Sequence, residues 1–126
     1  MLTFGSEEWI AALDDAARDD AALAEASAGL DLVVEQALTD GTTWHVVVDH
    51  GTVRVRPGPA DRPTITFTQD RAVAAAIARG DDSAQAAFLR GDLRLGGDVG
   101  ALVARAGVLD RLTDAFAAVR ARTAWS

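Results

Sequence analysis

Three consecutive segments of this chain alternate apolar and polar residues, and this pattern constrains the fold more than any other feature. The segments cover residues 42–49, 52–56 and 63–68, and in each one valine, isoleucine or aromatic residues recur at every second position. Successive side chains of a β-strand point to opposite faces, so this period of two collects the apolar residues on one side. The other side carries mainly Thr, Arg and His. A sheet with one apolar and one polar face favours antiparallel hairpins.

Turn residues separate these segments, and two further strands flank them. Asp49-His50-Gly51 predicts a tight turn, and Pro57-Gly58-Pro59 predicts a loop because proline cannot donate to a ladder. A strand is also predicted over residues 30–38, where Leu32-Val33-Val34 favours β-structure. The fifth strand is predicted over Asp92–Leu95, where leucines alternate with charged residues. The sequence therefore predicts five strands.

Helical periodicity occupies both ends of the chain. The first helix is predicted from Ser6, as N-cap, to about Asp19, with its aspartates on a solvated edge. Further helices are predicted over residues 21–28, 70–79 and 83–90. Another is predicted to begin after the capping residue Asp98 and to break at Gly107, and the last covers residues 108–122. Helices before and after a run of strands predict one α+β domain over residues 1–126, with the helices packed on one face of the sheet.

Composition narrows the possible functions. The 126 residues suffice for one domain. A net charge of −7 argues against binding to nucleic acids or anionic membranes, which requires a basic surface. No apolar run approaches the roughly 20 residues needed to span a bilayer, so stable membrane insertion is not expected. The N-terminal residues MLTFGSEEW lack the features of a signal peptide, so a cytoplasmic location is predicted.

No group of residues has the spacing of a catalytic or metal site. His45 is predicted on the polar strand face and His50 in a turn, and no nucleophile is spaced to pair with either. The chain has no Cys, no serine in a Gly-x-Ser-x-Gly motif and no zinc-type or di-iron-type histidine spacing. We therefore predict no catalytic residue, no metal site and no cofactor.

The glycine-rich stretch FLRGDLRLGGDVGAL, residues 88–102, raises the alternative of a phosphate-binding loop. Its glycines match neither a Walker A loop nor the dinucleotide-binding fingerprint. Asp98 is predicted to cap the next helix, where its carboxylate would take the free N–H groups and repel a phosphate. The stretch is therefore predicted to be a structural corner between a strand and a helix.

Several sequence features follow one another in a characteristic order along nearly the whole chain. A first helix carries Trp9, the strands read TTWHVVVDHGTVRV and TITFTQD, and the run IARGDDSAQAAFLRGDLRLGGDVGAL follows. The acidic residue Asp70, which ends TITFTQD, opens a helix, and the Gly97-Asp98 step precedes the final apolar helices. This order resembles the sterol carrier protein type 2 (SCP2) domain family, and within it a standalone bacterial-type member.

The resemblance implies a five-stranded, mainly antiparallel sheet with helices on one face and a hydrophobic tunnel between them. It also implies that the domain binds, or binds and transfers, a lipid such as a fatty acid, and does not itself catalyse a reaction. Because the chain has no Lys, any contact to the phosphate of an acyl-CoA ester would have to come from Arg. The tunnel lining implied by position comprises Trp44, Val46, Val48, Val53, Val55, Ile65, Phe67, Ile77, Phe88, Leu102, Leu109, Leu112 and Phe116.

Two other functions stay open at this point. The first is a protein-interaction or dimerisation module with a fully packed core, because periodicity does not distinguish a cavity from a core. Its interface would be the outward strip of Glu35, His45, Arg54, Arg56 and Arg94. The second is a small enzyme or enzyme-accessory domain with an unusual site near one of the two histidines.

Overall fold

The computed structural model describes residues 1–125. In chain order its elements are β1 (Leu2–Thr3), α1 (Glu7–Arg18), α2 (Ala21–Ala26), β2 (Asp31–Leu38), β3 (Thr43–Asp49), β4 (Thr52–Pro57), β5 (Ile65–Gln69), α3 (Arg71–Arg79), α4 (Ala84–Arg90), β6 (Leu93–Gly97), α5 (Val99–Ala104), α6 (Ala106–Ala115), α7 (Ala117–Ala121) and β7 (Thr123–Ala124). The predicted α+β fold class is confirmed. Among residues 1–125, no helix has the length and hydrophobicity needed to cross a membrane.

The main sheet has five strands in the order β4-β3-β2-β5-β6. Three of its four pairings are antiparallel, as predicted, but β2 and β5 run parallel, with Val34 opposite Ile65. The sheet is therefore mixed. The two short strands β1 and β7 pair in parallel and join the two ends of the chain.

The parallel pairing requires residues 58–64 to cross the sheet, and they do so over its polar face. The carbonyl oxygen of Gly58 lies 2.9 Å from Nδ1 of His45, and the N–H of Ala60 donates to the Glu35 carboxylate at 2.8 Å. Glu35 and His45 are opposite each other on β2 and β3. Two members of the predicted outward strip are thus half-buried partners of the crossover segment.

Helix α1 packs across the sheet at its β4 end. The Ser6 hydroxyl accepts a hydrogen bond from the N–H of Trp9 at 3.2 Å, which confirms the predicted N-cap. The buried face of the helix consists of Trp9, Ile10, Leu13, Asp14 and Ala17. The apolar members of this face share one core with the inward residues of β2 to β5, among them Leu32, Val48, Val53 and Ile65.

The prediction of a solvated acidic edge is wrong for Asp14. This residue is only 8% exposed, because its carboxylate accepts hydrogen bonds from the Arg54 side chain at 2.9 and 3.0 Å and from the backbone N–H of Val55 at 2.8 Å. Arg54, predicted to point to solvent, is therefore tied to α1. Arg54 lies 40 residues from Asp14 in the sequence, and local periodicity cannot reveal a contact between residues so far apart.

The C-terminal helical region also differs from its prediction. The break expected at Gly107 lies instead at Arg105, between α5 and α6. The single last helix expected over residues 108–122 is divided at Phe116 into α6 and α7. Its apolar stripe survives the division, because Leu112 and Val119 are both buried.

Candidate functional site

A small apolar cavity lies between the sheet and the helices α3 and α4. Its volume is about 80 Å³. It is lined by Gln36, Trp44, Phe67, Gln69, Ala74, Ile77, Ala84 and Leu93. The lining residues come from four adjacent strands and two helices, so the cavity belongs to the interior layer between sheet and helices.

Strand register places the sheet side of this cavity. Gln36 lies opposite Trp44 on β3 and opposite Phe67 on β5, which makes these three side chains a row on one face. Gln69 lies opposite Leu93 at the next inward position. Cross-strand neighbours on one face have Cβ atoms about 5 Å apart, so the row forms a continuous floor.

Helix α3 covers part of the cavity on the side opposite the sheet. Ala74 and Ile77 are three residues apart and therefore lie on the same helix face. Asp70 caps the N-terminus of this helix by accepting from the N–H of Val73 at 2.8 Å, and Gly80 ends it with φ of 89°. An alanine at position 74 leaves space that a larger side chain would fill.

An ion pair anchors α3 beside the cavity. The Arg71 side chain donates to the Asp40 carboxylate at 2.7 Å, to the Thr42 hydroxyl at 2.9 Å and to the carbonyl oxygen of Phe4 at 3.1 Å. Hydrogen bonds from the Thr42 backbone N–H and from Arg71 lower the pKa of Asp40 to about 2. The first turn of α3 is thus fixed to both the N-terminal segment and the β2–β3 loop.

Two amide side chains are the polar part of the lining. The Nε2 atom of Gln69 donates to Oε1 of Gln36 at 2.6 Å, and the Gln69 residue is only 5% exposed. The remaining lining residues are apolar. The cavity can therefore hold an uncharged, mainly apolar ligand, and the two amides can form hydrogen bonds with one polar group of that ligand.

The structure separates the thirteen residues predicted to line a tunnel into groups. Trp44, Phe67 and Ile77 line the cavity. Val46, Val48, Val53, Val55, Ile65 and Leu112 are buried in the core cluster. Leu102, Leu109 and Phe116 are half-buried and pack against that cluster. Three predicted residues therefore meet at the cavity, and nine others belong to the core cluster or pack against it.

Phe88, the remaining predicted residue, does not face inward. Its side chain is 48% exposed, because α4 directs Ala87, which is fully buried, toward the interior. Adjacent residues on a helix point about 100° apart, so burying Ala87 turns Phe88 away from the interior. The prediction of an inward Phe88 is wrong.

Sequence reasoning missed five cavity residues: Gln36, Gln69, Ala74, Ala84 and Leu93. The two glutamines did carry a signal, because both occupy inward positions of strands whose neighbouring inward positions are apolar. A polar residue at such a position is more informative than a further apolar one. The alanines carried no signal, since helices throughout this chain are rich in alanine.

The histidines lie away from the cavity. Nδ1 of His50 is 2.7 Å from the Asp49 carboxylate in the exposed β3–β4 turn, and this hydrogen bond raises the pKa of His50. His45 is held against Gly58 on the opposite face of the sheet. Neither side chain lines the cavity, so the site contains no imidazole for acid–base chemistry.

The glycine-rich stretch is a corner, as predicted. The Asp98 carboxylate accepts from the N–H of Ala101 at 3.0 Å and caps α5. Gly97 has φ of 84°, and a Cβ atom at this position would lie 2.3 Å from the carbonyl oxygen of Thr64. The glycine therefore permits close approach between β6 and the start of β5, and its role is structural.

A larger depression of about 320 Å³ lies on the surface beside β1 and α7. It is lined by Met1, Leu2, Ala121 and Arg122. Met1 is 89% exposed, and among residues 1–125 Arg122 is the only polar side chain in the lining. A specific small-molecule site requires several convergent groups and a ligand largely removed from water, so the interior cavity is the better candidate.

Fold and site together define a small α+β domain with a partly open apolar cavity between its sheet and the helices on one face. Comparison with known protein families identifies the family: residues 10–110 match the SCP-2 sterol transfer family. This match covers more than half of the chain, so the protein belongs to that family, as the sequence resemblance indicated. A search of curated protein sequences finds no match.

Solved structures show the same fold. A crystal structure of sterol carrier protein 2 aligns with a TM-score of 0.74 at 19% identity, covering 93% of this chain and 97% of that one. A possible sterol carrier protein from Thermus thermophilus aligns with a TM-score of 0.74 at 20% identity, covering 92% and 89%. The sec-alkylsulfatase Pisa1 from Pseudomonas sp. aligns with a TM-score of 0.58 at 20% identity, covering 74% of this chain but 14% of the enzyme. The fold therefore occurs both as a separate chain and within a larger enzyme.

Proposed function

We propose that the protein binds a lipid or another hydrophobic ligand non-covalently, in a tunnel that extends from the interior cavity, and that it catalyses no reaction. The observation that carries this proposal is the cavity itself, to which residues 1–125 contribute six apolar lining residues, two neutral amides and no charged side chain. Membership of a sterol transfer family supports the same ligand class. Transfer between donor and acceptor surfaces would follow from reversible binding.

Burial of apolar surface is sufficient to drive such binding. Each buried methylene contributes about 0.8 kcal/mol, so a dozen offer roughly 10 kcal/mol before the costs of association. The cavity of about 80 Å³ is smaller than the ~150 Å³ cavity known to bind benzene in another protein. A long alkyl chain must therefore widen the space between the sheet and the helices.

The residues predicted from the family resemblance indicate where this widening would occur. Leu102, Leu109 and Phe116 are only half-buried, although all three pack against the core. We expect a ligand chain to enter among the helices that carry them, with Trp44, Phe67 and Ile77 at its inner end. The fully buried valines of β3 and β4 would then support the tunnel wall.

Native mass spectrometry of the purified protein, followed by extraction of bound lipid and titration with a fluorescent fatty acid, tests the proposal. An Ala74→Leu variant should bind more weakly, because the larger side chain enters the cavity. Ala72→Leu is the matched control, since Ala72 is exposed on the same helix. A protein that carries no apolar species and binds no fluorescent fatty acid would contradict lipid binding and favour a packed interaction module.

A further inference from the structure

We propose that the Gln36–Gln69 pair is a head-group subsite, which selects a lipid with a neutral hydroxyl head over an ionised carboxylate of the same chain length. The inference rests on the proposed function, because it assigns specificity to the same cavity. It is carried by one hydrogen-bonded amide pair placed on the floor of an otherwise apolar space.

The pair has hydrogen-bonding capacity left after its mutual contact. Two amides together offer four N–H donors and two carbonyl oxygens, and the contact between Gln69 and Gln36 uses one N–H and one oxygen lone pair. Among residues 1–125, neither side chain forms another protein hydrogen bond. Reversing both amides leaves the same kinds of groups free. The subsite therefore offers both a donor and an acceptor.

A hydroxyl group fits this combination. Its proton can be donated to an amide oxygen while its oxygen accepts from an amide N–H, so both partners are satisfied inside the cavity. An ionised carboxylate can only accept, and its burial without a counter-charge is costly. The subsite thus discriminates through charge as well as through hydrogen bonding.

Within the described part of the chain, no cation of the surrounding elements is directed into the cavity to offset a carboxylate. Ion pairs hold the arginines of helices α3 and α4: Arg71 with Asp40, Arg79 with Asp81, and Arg90 with Asp82 and Asp92. On the strands, Glu35 and His45 bond to the crossover segment on the opposite face, and Arg94 is exposed. The lining itself contains no charged residue.

The test compares 1-dodecanol with dodecanoate as competitors of a fluorescent lipid at neutral pH. We expect dodecanol to bind at least about tenfold more tightly to the wild type. In the Gln36→Met/Gln69→Met variant, which keeps side-chain length but loses the amides, we expect the dodecanol affinity to fall by about tenfold, because the hydroxyl loses its hydrogen-bonding partners. Gln85→Met is the matched control and should retain the dodecanol affinity, because Gln85 is exposed on α4.

Wild-type protein supplies a second readout if the double variant does not fold. The chain contains no Asn and three Gln, so its side-chain amide NMR signals come from Gln36, Gln69 and Gln85 alone. Dodecanol should shift the signals of the first two and leave that of Gln85 unchanged. Equal affinities for the two ligands, a dodecanol affinity that the double variant retains, or unmoved amide signals during binding would overturn the subsite. Failure of both ligands to bind the wild type would instead overturn the proposed function.

Discussion

The carboxylate of Asp14 on α1 accepts a hydrogen bond from the backbone N–H of Val55 at 2.8 Å, across 41 residues of sequence. Val55 lies on β4, one of the two edge strands of the main sheet, where backbone groups on the outer side have no neighbouring strand. The same carboxylate accepts two hydrogen bonds from Arg54. Asp14 thus closes part of the sheet edge and fixes the first helix to it.

We expect Asp14→Ala to lower the free energy of unfolding by about 2–4 kcal/mol, because it leaves the buried N–H of Val55 without a partner. Asp14→Asn should cost less, since the amide oxygen can still accept from that N–H while the ion pair with Arg54 is lost. Urea denaturation measures both values. Equal costs for the two variants would show that the Val55 hydrogen bond does not contribute.

The effect of Asp14 on stability should depend on pH. Hydrogen bonds from Arg54 hold the pKa of this carboxyl below its usual 3.8, although burial acts in the opposite direction. A carboxyl with a lower pKa in the folded state stabilises the fold above its unfolded pKa, and this contribution disappears as pH falls through the folded pKa. The difference between wild type and Asp14→Asn should therefore be constant above about pH 5 and shrink below about pH 4. Denaturation at a series of pH values measures it, and a difference that grows on acidification would contradict the assignment.

Local sequence signals predicted the helices and strands, because strand alternation and helix caps depend on residues that are only a few positions apart. The period of two located the strands, and the predicted N-caps Ser6 and Asp98 are both confirmed by side-chain hydrogen bonds. The parallel pairing of β2 with β5 was not predictable in this way. The alternation of a strand records which face is buried and carries no information on the direction of its neighbour.

The candidate site was harder to predict than the fold. Every inward strand residue looks alike in sequence, so Val48 in the packed core and Trp44 on the cavity wall could not be separated. Phe88 lies on a helix of seven residues, which is too short for periodicity to define its buried face. The amide pair depends on the parallel register that brings Gln36 beside β5, and that register became visible only in three dimensions.

Trp125, which follows β7, should contribute to stability through an aromatic cluster. Its ring centroid lies 5.4 Å from that of Phe4, which in turn contacts Trp9 at 4.9 Å and Trp44 at 5.9 Å. We expect Trp125→Ala to lower the free energy of unfolding by about 1–3 kcal/mol, because a half-buried ring and its aromatic contact are lost. Trp125→Phe, the matched control, should cost less than half as much. A change below about 0.5 kcal/mol for the alanine variant would mean that the β1–β7 pairing holds the chain ends without this ring.

The glycine pair at the end of β6 allows the structural role of the corner to be tested. Gly97 has a positive φ, and an added Cβ would lie 2.3 Å from the backbone carbonyl oxygen of Thr64. That oxygen already accepts a hydrogen bond from the N–H of Asp98 at 2.8 Å, so it cannot move away without loss of this contact. Backbone clash and left-handed strain therefore act together at this position.

We expect Gly97→Ala to lower the free energy of unfolding by more than about 2 kcal/mol. Gly96→Ala is the matched control: its φ is not in the left-handed region, and its Cβ would meet the nearest side-chain atom, Cβ of Thr66, at 3.8 Å. This variant should change stability by less than about 1 kcal/mol, since that separation is ordinary van der Waals contact. Urea denaturation of both variants gives the comparison. Equal costs would show that the corner can relax, and a stable Gly97→Ala variant would mean that β5 and β6 do not require this close approach.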